Sequence, residues 1–270
     1  MIRLVAAAAL ALGGCLAPEP APGPAIGDRP TIVSLNPCAD AILAEVTAPG
    51  QLLAISHYSK DPRASSMEPD DAARYDATGG TVEEVLALDP DVVVASSFIG
   101  PATRAALTDF GIAVETVGSV GSVADSVAQV RQLAALTGDR TAGEALVARI
   151  DKAARPSEET PVDTVLWQSG GIVPGEATLV SELLARAGLA NGAAKRGLRQ
   201  ADYLSLEAVL ADPPDLLLVA GSERGQGHPA LAALPNTHIA RLDPNLVYCG
   251  GPTIPRAMAK LRALRKSVAL

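Results

Sequence analysis

The sequence predicts an α/β fold of two Rossmann-like lobes joined by a long α-helix, with a cleft between the lobes. Three observations predict it. Short β-branched segments alternate with helical ones, a helical pattern over residues 123–154 interrupts this alternation, and one helix–turn–strand unit occurs twice. Alternating strands and helices are typical of mainly parallel sheets with helices on their faces.

The composition fits a packed globular protein and argues against nucleic acid as a partner. The 270 residues are 48% hydrophobic and 19% charged, which is ordinary for a folded domain. The formal net charge is −8, whereas phosphate binding relies on clustered Lys and Arg.

The N-terminus predicts export. Arg3 precedes an apolar run, residues 4–12, that is too short to span a bilayer as a mature helix. Leu12-Gly13-Gly14-Cys15 is typical of a bacterial lipobox. We therefore predict a signal peptide over residues 1–14 and a lipidated Cys15 that begins a Pro-, Ala- and Gly-rich tether over residues 15–30. A plain secretory signal is the alternative.

The elements divide the remaining chain into three parts. In a first lobe, residues 31–121, strands are predicted over 31–35, 52–56, 91–95 and 113–117, and helices over 39–46, 81–88 and 102–110. An interdomain helix is predicted over 122–156, because apolar residues recur at helical spacing on both sides of a weak interruption at Thr137-Gly138-Asp139. In a second lobe, residues 157–270, strands are predicted over 164–168, 215–220 and 238–242, and helices over 179–187, 205–210 and 253–268.

An internal repeat indicates that the two lobes are equivalent. Residues 81–94 read as a capped helix, a Pro-Asp turn and a buried strand, and residues 205–218 repeat this unit. Each copy carries a glutamate at the second helical position, Glu83 in the first and Glu207 in the second.

Several segments together point to one family. They are Ser34-Leu35-Asn36-Pro37-Cys38-Ala39-Asp40, Ala54-Ile55-Ser56-His57-Tyr58 with Asp61-Pro62, Leu166-Trp167-Gln168-Ser169-Gly170-Gly171, Cys249-Gly250-Gly251-Pro252 and both repeat copies. These segments resemble the periplasmic binding proteins for vitamin B12 and ferric siderophores, the type with a rigid interdomain helix. The resemblance covers almost the whole mature chain.

The resemblance implies a function, a location and partners. It implies an extracytoplasmic protein that captures a metal chelate, either a ferric siderophore or a corrinoid such as cobalamin, and delivers it to an ABC permease dimer with its ATPase. Together with the lipobox at Cys15, it predicts a membrane-anchored lipoprotein. It also implies that Glu83 and Glu207 dock the two lobes onto the permease. The alternative reading of both glutamates is a favourable charge at a helix N-terminus.

The ligand cleft is expected beyond the carboxyl ends of the strands, where parallel sheets bind their ligands. The residues predicted there are Asn36, Cys38, His57, Tyr58, Phe98, Gln168, Ser169, Arg199, Tyr203, Arg224, Tyr248 and Cys249.

Cys38 and Cys249 allow three interpretations. Export to an oxidising compartment permits a disulfide between them. Two thiolates with the imidazole of His57 would suit zinc or copper, which makes a metal-ion-binding lipoprotein the alternative function. The third interpretation is two unrelated buried thiols.

Signals for an enzyme are poor, and no resident cofactor is predicted. The segment around Ser169 lacks the first glycine of a nucleophile elbow. Residues 225–230 formally match a dinucleotide fingerprint, but they follow their strand at a distance and Pro229 would start the helix. A secreted enzyme is therefore the least favoured interpretation.

Overall fold

The computed structural model describes residues 27–199 and 201–268. The predicted signal peptide and Cys15 lie outside these residues. The strands are β1 (Ile32–Ser34), β2 (Leu52–Ser56), β3 (Asp76–Thr78), β4 (Val92–Ser96), β5 (Ala113–Val117), β6 (Val162–Gln168), β7 (Ile172–Val173), β8 (Leu189–Asn191), β9 (Asp202–Tyr203), β10 (Leu216–Ala220) and β11 (His238–Arg241). The α-helices are α1 (Pro37–Val46), α2 (Pro69–Ala73), α3 (Val82–Leu88), α4 (Pro101–Asp109), α5 (Val123–Leu136), α6 (Arg140–Ala153), α7 (Leu179–Arg186), α8 (Gly192–Lys195), α9 (Leu206–Ala211), α10 (Pro229–Ala232) and α11 (Thr253–Val268).

The first lobe contains a five-stranded parallel sheet in the order β3-β2-β1-β4-β5. Residues 92–95 of β4 are buried, as a strand covered by helices on both faces requires. The chain begins in the middle of the sheet at β1, adds β2 and β3 on one side, and then adds β4 and β5 on the other. β1 is therefore the strand at which the strand order reverses.

The second lobe contains a four-stranded parallel sheet in the order β11-β10-β6-β8 and a small antiparallel pair of β7 and β9. All five residues of β10 are buried. β6 has β8 on one side and β10 on the other, so it holds the same place as β1 does in the first lobe. The predicted α/β class with two parallel sheets is confirmed.

The repeat predicted from the sequence occupies equivalent places. Thr81 caps α3 by accepting a hydrogen bond from the Glu84 amide, and Ser205 caps α9 by accepting one from the Ala208 amide. The strands that follow, β4 and β10, pair with β1 and β6 respectively.

The connection between the lobes differs from the single long helix predicted over residues 122–156. It consists of two helices, α5 and α6, that pack antiparallel as a hairpin. Gly138 ends the first helix at a positive φ of 76°, and the Asp139 side chain accepts from the Ala142 amide and starts the second. Arg131 pairs with Glu144 across the hairpin. Apolar residues recur at helical spacing on both sides of the turn, so the sequence predicted one helix. The chain instead reverses its direction at the interruption.

Among residues 27–199 and 201–268, no helix combines the length and the apolar composition that crossing a bilayer requires.

Asp40 is a fully buried carboxyl group in the first turn of α1. Its Oδ2 accepts hydrogen bonds from the Ser56 amide (2.9 Å) and the Ser59 hydroxyl (2.6 Å), whereas its Oδ1 has no partner among the described residues. Burial disfavours the charged form and raises the pKa of Asp40 to about 7, although hydrogen bonds from neighbouring serines oppose the shift.

We expect Asp40 to make the protein less stable as the pH rises from about 4 to about 7. Over this range the unfolded chain, with a carboxyl pKa of 3.8, has lost the proton that the folded protein keeps. The free energy of unfolding should fall by about 1.4 kcal/mol per pH unit on account of this group. Asp40→Asn should remove that fall, so urea unfolding across this pH range should show the variant gaining stability relative to the wild type.

Asp91 provides a control of opposite sign. Its carboxylate accepts hydrogen bonds from the Thr31 amide and hydroxyl, and these lower its pKa. Its contribution is present above the unfolded pKa and is lost as the pH falls, so Asp91→Asn should be more destabilising at pH 7 than at pH 3. An Asp40→Asn variant that differs from the wild type by the same amount at pH 4 and pH 8 would contradict the assignment.

Candidate functional site

A cavity of about 330 Å³ lies between the two lobes, at the carboxyl ends of their strands. Asn36, which follows β1, and Ser96, at the end of β4, border it in the first lobe. Gln168, at the end of β6, and Val173 in β7 border it in the second lobe. The cavity therefore lies beside the strands at which both strand orders reverse, which is the usual ligand position in parallel sheets.

The lining of this cavity carries no charged side chain among the described residues. It consists of Asn36, Cys38, Ser96, Gly118, Ser119, Val120, Gln129, Gln168, Ile172, Val173, Pro174, Thr178, Leu179, Val180, Ala201, Val247, Tyr248, Cys249 and Gly250. Amides and hydroxyls are the polar side-chain groups that it offers. A ligand that brought several unpaired charges into this cavity would lose water without gaining an opposite charge.

Three amide side chains line the cavity, and they differ in how many hydrogen bonds they already make within the protein. Asn36 caps α1, and its Oδ1 accepts from the Cys38 amide (2.9 Å). The Nε2 of Gln129 donates to the Gly118 carbonyl (3.0 Å). The Gln168 side chain hydrogen-bonds to none of the described residues. Each amide therefore keeps hydrogen-bonding capacity for a ligand, and Gln168 keeps the most.

Cys38 and Cys249 form a disulfide bond that joins the two lobes and lines the cavity. The alternative metal site of Cys38, His57 and Cys249 is therefore wrong, since a disulfide offers no thiolate to zinc or copper. Within the described part of the chain, no group of three or more His, Cys, Asp or Glu side chains is arranged to hold a metal ion.

The residues predicted for the cleft divide into two groups. Those that line the cavity together are Asn36, Cys38, Gln168, Tyr248 and Cys249. Those that lie outside its lining are His57, Tyr58, Phe98, Ser169, Arg199, Tyr203 and Arg224.

The aromatic residues of this prediction are exposed, which is unusual for such side chains. Phe98 follows β4 and is 82% exposed, and Tyr58 follows β2 and is 55% exposed. On the second lobe, Tyr203 pairs with Ile172 of the cavity lining, and Tyr248 belongs to the lining itself. Partial burial of Tyr248 raises its pKa, with a smaller contribution from Asp243. The loops around the cavity thus present aromatic surface that the core does not use.

The remaining predicted residues have local roles or face solvent. The His57 ring lies against the Tyr58 ring, with centroids 4.1 Å apart, and its Nδ1 lies 3.3 Å from the Thr78 carbonyl. Ser169, Arg199 and Arg224 are exposed.

Trp167 belongs to the core of the second lobe, not to the cleft. It is buried, and its Nε1 donates to the Leu204 carbonyl (2.9 Å). Gly171 allows the Tyr203 ring to approach, because a Cβ at this position would lie 2.5 Å from the ring and φ is +74°. The glycine therefore sets the position of an exposed aromatic ring next to the cavity.

Several lining residues were not predicted. Gly118, Ser119 and Val120 follow β5, so the strand-end rule could have found them. Gln129 and Thr178–Val180 belong to α5 and to the start of α7. No local signal in the sequence assigns these helical residues to a cleft, because their position depends on how the lobes face each other.

Glu83 and Glu207 are exposed at the second positions of α3 and α9. The neighbouring Glu84 is used in the fold, since its Oε2 accepts from the Thr78 hydroxyl (2.9 Å) and the Gly80 amide (3.1 Å). The pKa of Glu207 is lowered by a hydrogen bond from its own backbone amide and then by one from Ser205. The Glu83 carboxylate has no hydrogen bond to the described residues. The two glutamates therefore occupy equivalent positions but differ in the hydrogen bonds that their carboxylates accept.

Comparison with known proteins supports the resemblance seen in the sequence. Residues 32–246 match the periplasmic binding protein family. The structure is similar to that of the periplasmic heme-binding protein BhuT in complex with two hemes, at 22% identity and a TM-score of 0.70, covering 90% of this chain and 100% of that one. It is also similar to the periplasmic heme-binding protein HutB of Vibrio cholerae, at 21% identity and a TM-score of 0.70, covering 88% and 99% of the two chains.

A third similar structure is the periplasmic vitamin B12 binding protein BtuF of Vibrio cholerae, at 17% identity and a TM-score of 0.65, covering 88% of this chain and 97% of that one. No curated protein matches the chain in sequence. The match over residues 32–246 confirms the family inferred from the sequence, and the structural likeness confirms its fold. The chain therefore belongs to the periplasmic binding protein family, a family of substrate-binding transport proteins and not of enzymes.

Proposed function

We propose that this protein is the substrate-binding component of an ABC importer, that it captures a metal chelate between its lobes, and that it prefers an uncharged, amide-bearing chelate of the corrinoid class. The observation that carries the preference is the uncharged lining of the interlobe cavity. Two structural relatives bind heme and one binds vitamin B12, so macrocyclic metal chelates are ligands of proteins with this fold.

The chemistry of the lining favours neutral amides over carboxylates. Ferric siderophores that carry net negative charge and porphyrins with carboxylate arms are best held by arginine, which forms paired charge-assisted hydrogen bonds. The cavity instead offers the amides of Asn36, Gln129 and Gln168. A corrinoid carries amides around its ring, and each can donate to and accept from such side chains.

The size of the cavity indicates how such a ligand would sit. Its volume of about 330 Å³ is near the lower end of ligand pockets, so only one edge of a macrocycle fits inside. The rest of the ring would lie at the mouth, against exposed aromatic side chains such as Tyr203 and Tyr248. Flat conjugated rings stack favourably on such surfaces.

We also propose that Glu83 and Glu207 dock the two lobes onto the two subunits of the permease. Both are exposed, and the repeat gives them equivalent positions in the two lobes. Two carboxylates related by an approximate twofold axis suit a partner that presents basic side chains with twofold symmetry.

Anchoring at Cys15 completes the proposal. A lipid on this residue would hold the binding protein at the membrane outside the cytoplasm, near its permease. The Cys38–Cys249 disulfide supports this location, because such bonds persist in oxidising compartments outside the cytoplasm.

The ligand preference predicts an order of affinities. In calorimetric titrations of the exported protein, cyanocobalamin should bind with a dissociation constant of about 1 µM or tighter, and more tightly than hemin or an anionic ferric siderophore. Tighter binding of hemin would overturn the proposed preference, and failure of all three probes to bind would overturn the proposed ligand class.

The role of the free amide is testable by removing it. Gln168→Leu keeps the size of the side chain and should weaken cyanocobalamin binding about fivefold, since a neutral hydrogen bond contributes about 1 kcal/mol. Gln132→Leu is the matched control, because Gln132 is exposed on α5 and donates to Glu115 away from the cavity. Equal affinities of the two variants would exclude Gln168 from the ligand site.

Reversing the charge of both glutamates should impair docking onto the permease and leave ligand capture intact. Uptake of cyanocobalamin by cells that depend on the Glu83→Arg/Glu207→Arg protein should fall at least about tenfold, because like charges would face each other at the interface. Affinity for the ligand should stay unchanged. Glu158→Arg, an exposed reversal in the segment before β6, should leave uptake intact. A double variant that loses ligand affinity, or that transports normally, would contradict the docking role.

A further inference from the structure

The two lobes are joined covalently at two places. Along the chain, all strands of the first sheet lie within residues 32–117 and all strands of the second within 162–241, so the backbone passes between the lobes through the α5–α6 hairpin. The Cys38–Cys249 disulfide is a second connection, between residues 211 positions apart. A second covalent connection reduces the ways in which the two lobes can move relative to each other.

The disulfide lies where such a restraint affects the cavity directly. Cys38 belongs to the first turn of α1, which Asn36 caps, and Cys249 lies in the loop that leads into α11. Both cysteines line the cavity. Parting the lobes would therefore have to stretch this bond or turn around it.

The loop that carries Cys249 packs closely against helices α1 and α5. The Gly251 amide donates to the Ser126 hydroxyl (2.7 Å) on α5. A Cβ on Gly250 would lie 2.5 Å from Ser126 Oγ, and one on Gly251 would lie 2.7 Å from Ile42 on α1. Only glycine permits this approach, which brings the two sulfurs within bonding distance.

Polar contacts between the lobes accompany the disulfide but can exchange with water. The Arg256 guanidinium donates to the Ser66 carbonyl (2.8 Å) and pairs with Glu68, and the Ser66 hydroxyl donates to the Asn245 carbonyl. The ion pair is partly exposed, so it contributes little resistance to lobe movement compared with a covalent bond.

We propose that the Cys38–Cys249 disulfide is a redox-sensitive latch that limits how far the lobes part and thereby slows release of the ligand. A dithiol reductant would open it. One thiolate of the reductant attacks a sulfur of the protein disulfide, which forms a mixed disulfide and releases one cysteine thiol. The second thiolate of the reductant then attacks the reductant's own sulfur in the mixed disulfide and releases the other cysteine thiol. Cys38 and Cys249 then hold one thiol each, and the reductant has become a disulfide. Cys249 is buried and Cys38 is partly exposed at the cavity, so attack comes from the cleft.

The latch can be tested without a ligand by measuring how the lobes move. Hydrogen exchange and small-angle X-ray scattering would compare the oxidised protein, the protein reduced with dithiothreitol, and the Cys38→Ser/Cys249→Ser variant. Reduction and substitution should each speed exchange at the start of α1 and in residues 249–253 and enlarge the radius of gyration, while β4 and β10 stay protected. Dithiothreitol should change nothing in the double variant.

Unchanged exchange and dimensions after reduction would overturn the latch. Equal loss of protection in β4 and β10 would also overturn it, because the bond would then support global stability instead of lobe position. If the double variant does not fold, reduction of the wild-type protein still gives either result.

The proposed effect of the disulfide on ligand release rests on the proposed function, and its test uses cyanocobalamin as the probe. Opening the disulfide should speed cyanocobalamin dissociation about tenfold or more, and bound cyanocobalamin should slow reduction by dithiothreitol. An unchanged dissociation rate would overturn the role in retention. If the oxidised protein does not bind cyanocobalamin, the proposed ligand fails, whereas the exchange and scattering measurements still decide whether the bond restrains the lobes.

Discussion

Close approach of the loop at Cys249–Gly251 to helices α1 and α5 is the constraint on which the rest of this structure depends. Side chains at Gly250 and Gly251 would collide with Ser126 and Ile42, so the loop reaches the first lobe only because it lacks them. This contact lies where the carboxyl edges of two separate parallel sheets face each other. The disulfide, the cavity and its lining from both lobes all follow from that arrangement.

The distribution of charge and aromatic surface separates the site from the remainder of the protein. The chain has 52 acidic and basic residues (22 Lys and Arg, 30 Asp and Glu), yet none lines the interlobe cavity in the described part of the chain. Five of its seven aromatic Phe, Trp and Tyr residues are exposed, and the core is built mainly from aliphatic side chains. Aromatic residues usually stabilise a core by burial, so the exposure of Tyr203 and Tyr248 beside a neutral cavity indicates surface kept for a flat ring system.

The sequence predicted those parts of the fold that local patterns determine. Strands β4 and β10 are continuous buried apolar runs, and the repeat placed the capped helices α3 and α9 before them. The short strands β3, β7, β8 and β9 were missed, because two or three residues show no period. For the cavity, strand-end loops predicted Asn36 and Gln168, whereas Gln129 and Thr178 depend on helix positions that only lobe packing determines.

The reversal at Gly138 changes the mechanical account of the connection between the lobes. A single helix would hold the lobes apart by its own stiffness, whereas the hairpin gains rigidity by packing. Helices α5 and α6 pack on each other and on α1 of the first lobe, and they also contact α7 and α11 of the second. Gly143 lies so close to Ala134 that a Cβ would be 2.4 Å from the alanine methyl carbon. Orientation of the lobes is therefore set by side-chain packing that spans the hairpin and both lobes, and the disulfide at the cavity adds a covalent restraint to that packing.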